Sequence, residues 1–315
     1  MNDIVYDTLL GAAIKAPSGH NSQPWLFSLS ADGSGILVQP DYSRRLPVLD
    51  PHDRELYISI GCAVENMCVA ATGMGLSGVV RMARDGGVLV SFNVNGDVAP
   101  SELIAAIERR HTNRNEYDGT EIPQQVADLL VACDATLYAR GSAQFCAVRD
   151  SIVEADNVIY GDSRSRGELK GWIRHNRNET ESMMDGLGYD VLGIPGGVPV
   201  WVSRMATSMA LKAQVQSRSD VRKFMSSPVV AAFAAPDDVE GWVQCGRRLQ
   251  HFLLTAAMHG VACAFMCQPC EVDGIAASLT SQLGLPGRVQ VLLRIGHAAP
   301  PPAYSRRRPL ASFKK

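Results

Sequence analysis

Two apolar helical segments in opposite halves of the chain repeat one another, and this constrains the fold more than any other feature. One reads Gly61-Cys-Ala-Val-Glu-Asn-Met-Cys-Val-Ala-Ala-Thr-Gly-Met-Gly75-Leu76. The other reads Gly246-Arg-Arg-Leu-Gln-His-Phe-Leu-Leu-Thr-Ala-Ala-Met-His-Gly260-Val261. Apolar residues recur at the same phase, glycines stand at both ends, and a strand pattern follows each. Any two core helices can share a period, but shared end glycines favour duplication. Small residues at Ala70, Ala71, Ala256 and Ala257 would let two such helices approach closely. Duplication also answers the question set by the length, since 315 residues are many for one ordinary domain. Hydrophobic residues make up 46% and charged residues 20%, so the chain can bury a large core and is not a disordered or fibrous one. A formal net charge of -2 gives no basis for a nucleic-acid partner.

Hydrophobic periodicity predicts an α+β protein. Asn2 to Lys15 reads as a short amphipathic helix, broken by Pro17-Ser18-Gly19-His20-Asn21. Trp25 to Leu29 and Gly35 to Gln39 read as strands around an Ala-Asp-Gly-Ser turn. Asp53 to Met74, apolar nearly all round, reads as a central buried helix. Val79 to Met82 and Val88 to Val94 form a hairpin, and Ser101 opens a helix to about Arg110. Pro123 opens another, to about Val131. Leu137 and Phe145 to Val148 read as strand segments. Residues 162–218 are polar, Gly-rich and irregular, with short helices at most. Strands at Val229 to Ala235, Val261 to Met266 and Val289 to Ile295 alternate with helices at Asp238 to His259 and Asp273 to Leu283.

The start, Met1-Asn2-Asp3-Ile4-Val5-Tyr6, lacks a basic region followed by an apolar run, and no stretch is long and apolar enough to span a bilayer. A cytoplasmic protein with no membrane partner is expected. The eight cysteines then read as buried thiols rather than a disulfide framework. Cys263, Cys267 and Cys270 have the C-x3-C-x2-C spacing of a radical-type iron–sulfur motif. The motif comes too late in the chain for a barrel to follow, and alternation on a strand from Cys263 to Cys267 argues against a shared cluster, so no metal is expected.

Chemistry concentrates in a few segments. Ala16-Pro17-Ser18-Gly19-His20-Asn21-Ser22-Gln23-Pro24-Trp25 fixes a loop that can set backbone N–H groups against a planar polar ring; equally it can be a structural turn with Trp25 in the core. Arg110-His111-Thr112-Asn113-Arg114 places two guanidinium forks around a hydroxyl, which suits a phosphate or a solvated basic helix end. Ser305-Arg306-Arg307-Arg308 is a basic tail.

Together these segments closely resemble the FMN-dependent nitroreductase family. The resemblance implies that Pro17, Ser18, Gly19, Asn21 and Gln23 contact the flavin, with His20 nearby. It implies that Arg110, His111, Thr112 and Arg114 form the phosphate segment, joined by Arg306 and Arg307 from the tail. Gln268-Pro269-Cys270-Glu271 is similar to the family segment over the flavin N5 edge, which sets Pro269, Cys270 and Glu271 beside the reactive ring. The family often has glycine after the glutamate; here it is Val272.

The loop and the phosphate segment each occur once. The chain therefore resembles a fused pseudo-dimer, with residues 1–100 as one nitroreductase-like half, 101–315 as the other, and one FMN site between them. Asp50-Pro51-His52-Asp53-Arg54-Glu55, Ile58 to Gly61, Glu168 to Trp172 and Met184 to Leu187 further resemble the actinobacterial Acg-type subfamily. That likeness implies a lid over the flavin, roughly residues 162–218. Its implied chemistry is ping-pong hydride transfer from NAD(P)H through FMN to a nitroaromatic, quinone or specialised small molecule. Sequestering FMN with little turnover is the alternative. Arg174 and Arg204 are the candidate cations for the flavin pyrimidine edge. A monomer or weak homodimer is expected, because fusion buries the usual dimer surface.

Overall fold

Asn2 starts the first helix, α1 (Asp3–Ala13), by accepting a hydrogen bond from the Val5 N–H at 2.9 Å. The computed structural model describes residues 2–94 and 98–315. Strands β1 (Trp25–Leu29) and β2 (Gly35–Pro40) form a hairpin, in which Asp32 accepts from both Ser30 and Ser34. Helix α2 (Arg54–Thr72) follows, then the hairpin β3 (Leu76–Met82) and β4 (Val88–Val94). These strands make an antiparallel sheet in the order β1-β2-β4-β3.

The remaining chain builds a second sheet. Helices α3 (Ile104–Arg109) and α4 (Gln124–Val131) lead into β5 (Thr136–Ala139) and α5 (Ala143–Gly161). The expected strand at Phe145 to Val148 is the start of α5 instead. Ser142 accepts from the Phe145 N–H at 3.1 Å, and Phe145, Val148, Ile152, Ala155 and Ile159 bury one helical face. A strand would have put alternate residues of that set into solvent.

Residues 162–218 carry more regular structure than expected: α6 (Ser163–Gly171), β6 (Ile173–Arg174), α7 (Arg177–Met183), β7 (Leu187–Gly188), α8 (Val200–Ala210) and α9 (Ala213–Met225). Asp162 and Asn176 cap α6 and α7 with their side chains. Polar composition hid the bounds of α6 and α7, because capping rather than apolar period defines them. Then β8 (Val229–Ala235), α10 (Val239–Met258), β9 (Ala262–Phe265), α11 (Asp273–Leu283) and β10 (Arg288–Gly296) complete the antiparallel sheet β5-β8-β10-β9.

Helices α2 and α10 cross between the sheets, and two glycines set how closely. A Cβ at Gly61 would stand 2.1 Å from the Val243 carbonyl oxygen, and one at Gly246 would stand 2.0 Å from that of Ile58. The crossing therefore sits at the two glycines, not at the four alanines the sequence suggested. Gly75 and Gly260 end the repeated segments alike, with φ of 68° and 70° before the next strand. The polar residues of the crossing are paired: Gln250 donates to Asn66 at 2.6 Å, and Glu65 meets both Arg247 and His251.

The halves interlock through the tail. Phe313 is fully buried beside Trp25 and Phe27, and the Lys315 N–H donates to the Phe27 carbonyl at 2.9 Å. Among the described residues no helix is long and apolar enough to cross a membrane.

Candidate functional site

The loop after α1 holds three non-glycine residues in the left-handed region, His20 (φ 50°), Asn21 (φ 56°) and Gln23 (φ 55°). Each costs about 1–2 kcal/mol. Such strain persists only where surrounding contacts over-determine it, as is common at functional sites. Here the contacts are plain. The Gln23 N–H donates to Ser18 Oγ at 2.9 Å, and the Gln23 amide donates to the Met184 carbonyl at 2.9 Å and accepts from the Arg308 N–H. Asn21 donates to the carbonyls of Gly186 and Arg306 and accepts from Arg307 at 2.8 Å. Arg307 spends its remaining donors on the carbonyls of Ile14, Lys15, Ala16 and the tail itself.

This loop walls a cavity of about 710 Å³, a size ordinary for a cofactor site. Its middle is apolar, lined by Ile58, Ile107, Ile159, Leu249, Phe265 and Val291. Leu169, Leu187 and Val191 cover it from the middle segment.

One end is cationic. Residues 110–114 run beside the edge strand β9, where the Asn113 N–H donates to the Cys263 carbonyl at 2.9 Å and Thr112 bridges Cys263. That pairing turns Arg110 and Arg114 toward the cavity. Burial presses both guanidinium groups down, to about 10, and Arg307 to about 9 with Arg110 adding repulsion. All three stay charged at neutral pH. Neither Arg110 nor Arg114 meets a carboxylate, and the buried Arg110 Nε has no hydrogen-bond partner among the described residues. An anion with several acceptor oxygens satisfies such a group. His20 lies at this end too. Burial and then Arg114 push it down to about 4, so it is neutral at physiological pH.

The other end is acidic around one cation. Arg54 is buried and donates to Glu55 Oε1 at 3.0 Å and to the Gln290 carbonyl. Burial raises Glu55 to about 7, opposed by Arg54 and reinforced by Asp50. Glu271, facing the same space, is raised well above the carboxylate range by burial and by Glu55.

Of the residues implicated by sequence, Pro17, Ser18, Gly19, Asn21, Arg110, His111, Thr112, Arg114, Glu271, Arg306 and Arg307 line this cavity. Gln23, Pro269 and Cys270 do not: each is buried behind the wall, Gln23 as a clasp between loop, middle segment and tail. Arg306 pairs with Asp190 at 3.1 Å, and the donors of Arg307 are committed, so the tail supplies charge rather than free donors. His111 stacks on Tyr304 with centroids 4.5 Å apart.

Arg174 and Arg204 are not in the wall. Arg174 pairs with Asp185 at 2.6 Å behind it, and Arg204 is an exposed partner of Glu179. The cation at that end is Arg54. It sits in the quoted Asp50 to Glu55 segment, which opens a buried helix; a charged pair at such a place is the signal that could have found it. The covering segment is shorter than expected, since α9 packs into the body through Phe224 on Phe145 at 4.4 Å. Val272 has φ −116°, so its backbone does not require glycine.

Comparison with known proteins places these features in context. The chain is 27% identical to the putative NAD(P)H nitroreductase Rv3131 of Mycobacterium tuberculosis, covering 92% of this chain and 84% of that protein. It is 24% identical to the putative NAD(P)H nitroreductase acg of the same organism, over 94% of this chain and 91% of that one. Among solved structures, the FMN-dependent nitroreductase NfnB of Mycobacterium smegmatis in complex with NADPH aligns at 15% identity, with a TM-score of 0.44, covering 68% of this chain and 99% of that chain. No protein-family model matches the chain.

Proposed function

We infer that this chain, which belongs to the nitroreductase superfamily, is an FMN-dependent NAD(P)H oxidoreductase that holds one FMN per chain in this cavity and reduces a small organic acceptor such as a nitroaromatic or a quinone. The observation that carries the reading is the cationic end: two inward arginines without carboxylate partners among the described residues, one with an orphaned Nε, closing one end of a cavity whose middle is apolar. A phosphate-bearing planar group fits that donor set. Arg110, Thr112 and Arg114 would hold the phosphate, and the loop from Pro17 to Asn21 would flank the ring. Bound FMN would supply the two-electron hydride chemistry.

The protein's own residues do the rest. Arg307 holds the strained loop in shape by satisfying its carbonyls. Ile58, Leu249, Val291 and the covering Leu169 and Leu187 exclude water, which strengthens every charge interaction inside. His20, neutral at physiological pH, leaves the charge at the phosphate end to the arginines. Glu55, poised near neutrality, can hold or release a proton at the acidic end. In this reading residues 1–100 and 101–315 act as two halves of one unit, in the cytoplasm, as a monomer or weak homodimer.

One observation favours the sequestering alternative. Asp185 binds both Arg174 and Arg44, and with Asn21 and Gln23 it fastens the covering segment down. Anaerobic mixing of the FMN-loaded protein with NADH and NADPH separates the two. Bleaching of the yellow colour by either nucleotide is expected; a flavin that neither nucleotide bleaches would sink the reductase reading and leave sequestration.

A further inference from the structure

Cys267-Gln268-Pro269-Cys270 closes the acidic end of the cavity, and nothing in the proposed reaction so far uses its sulfurs. The segment leaves β9 and folds into one tight turn, residues 268–270, in which the Cys270 N–H donates to the Cys267 carbonyl at 2.7 Å. A turn of this kind holds its first and last Cα within about 7 Å, the span that a disulfide bridges. The Cys267 thiol donates to the Leu292 carbonyl at 3.7 Å, and Cys270 is the neighbour that most raises its pKa, which sets the two sulfurs side by side at the ends of the turn. Cys267 is in the cavity wall and Cys270 is sealed behind it. Cys263 is not part of the group; its thiol lies toward Arg110 and Arg294.

The surroundings suit sulfur redox chemistry. Arg54 interacts with both sulfurs and can steady a transient thiolate. Glu55 and Glu271 face Cys267, with Asp50 and Cys245 the other titratable groups nearby; Glu55, near 7, is the proton acceptor at hand, while Glu271 stays protonated. Neighbouring Cys270, then burial, raise the Cys267 thiol well above its ordinary range, so it is neutral at rest. Both the dithiol and the disulfide are uncharged, so the buried wall tolerates either state.

We propose that Cys267 and Cys270 form a reversible dithiol–disulfide couple in the cavity wall, exchanging two electrons with the FMN that the cavity binds. The disulfide part stands on the geometry alone; the exchange part rests on the FMN reading. In the oxidising direction both S–H bonds break and one S–S bond forms. A hydride equivalent, two electrons and one proton, would pass to oxidised FMN, and the second proton would pass to Glu55, which burial holds near 7 and which is therefore partly ionised at neutral pH. The reverse step returns two electrons and two protons to the disulfide. Access runs only through the cavity, so the partner is a small redox ring rather than another protein's thiol.

Two measurements on the full-length chain test this. First, FMN-free protein is equilibrated in glutathione redox buffers, quenched, denatured and alkylated. The eight free thiols should fall to six in the oxidised state, with the bridge located at residues 267 and 270 by peptide mass spectrometry. Eight thiols throughout, or a bridge elsewhere, would overturn the proposal. Second, FMN-loaded protein, oxidised beforehand, is titrated with dithionite under anaerobic conditions. Wild type should take up about four electrons per FMN and Cys267→Ser about two. Two electrons in a wild type whose bridge has formed would overturn the exchange. A protein that binds no FMN but still forms the bridge would fail the FMN reading, and with it the exchange, while upholding the disulfide. Should Cys267→Ser misfold, Cys270→Ser provides the same comparison, and the thiol count on wild type needs no variant.

Discussion

Arg110, Arg114 and Arg307 carry like charges at one end of the cavity but divide the work. Among the described residues the Arg110 Nε and the Arg114 fork meet no carboxylate and Arg110 spends only Nη2, on the Lys15 carbonyl at 3.0 Å, whereas every donor of Arg307 is spent on the protein. Replacing both Arg110 and Arg114 by alanine should therefore abolish FMN binding, a loss of roughly 3–6 kcal/mol at about 1.5–3 per charge-assisted contact. Thermal stability should change little by comparison. Arg307→Ala should instead lower the melting temperature, because buried carbonyls of the loop lose their donor, at about 1–3 kcal/mol. Calorimetry with and without FMN distinguishes the two classes; equal stability loss in both would refute the division. That Arg110, Thr112 and Arg114 would turn to one cavity was legible in the sequence, since Arg-x-Thr-x-Arg has a chemistry of its own. The commitment of Arg307, Asn21 and Gln23 was not, because it depends on which carbonyls lie across from them after folding.

A second residue prediction concerns Asp156, fully buried with no hydrogen-bond partner on either oxygen among the described residues. Burial, with Asp220 adding repulsion, raises its carboxyl to about 8. The unfolded value is about 3.9. Between those values the folded protein holds a proton that the unfolded chain has lost. This group's stability contribution is therefore complete below about pH 4 and is lost as pH rises through 8, at up to about 1.4 kcal/mol per pH unit. Asp156→Asn should leave stability near pH 4 almost unchanged and raise it progressively toward pH 8. Urea unfolding at several pH values reads this directly; a constant difference between variant and wild type would contradict it.

At the scale of elements, the crossing of α2 and α10 is the structural centre. A methyl at Gly246 would press on the Ile58 carbonyl at 2.0 Å, a backbone atom that cannot rotate away. Gly246→Ala should cost about 1–3 kcal/mol or more in urea unfolding. A cost near zero would mean that the helices slide apart freely. The repeat behind this crossing was readable because two glycines recur at matched positions. Which small residues touch was not readable, since apolar period fixes a face but not a depth. For the same reason α5 was mistaken for a strand over Phe145 to Val148: four residues of an apolar face fit either period. The helices between 162 and 218 were expected only as short pieces without bounds, because α6 and α7 are defined by caps rather than apolar stripes.

At the scale of the molecule, each sheet belongs to one half, and the cavity to both. Residues 16–21 and 54–62 come from the first half, while 107–114, 265–271 and the tail come from the second. The tail then returns to seat Phe313 beside Trp25, so neither half is complete alone. Single-copy motifs made it legible that widely separated segments share one cavity; the acidic end around Arg54 was not legible, because its members, Glu55 and Glu271, are far apart in sequence. The central claim is one asymmetric FMN site per chain. Fluorescence titration of FMN into the flavin-free, full-length protein tests it most directly. Saturation at one FMN per chain is predicted, abolished by replacing Arg110 and Arg114; saturation at two per chain, or no binding at all, would contradict it.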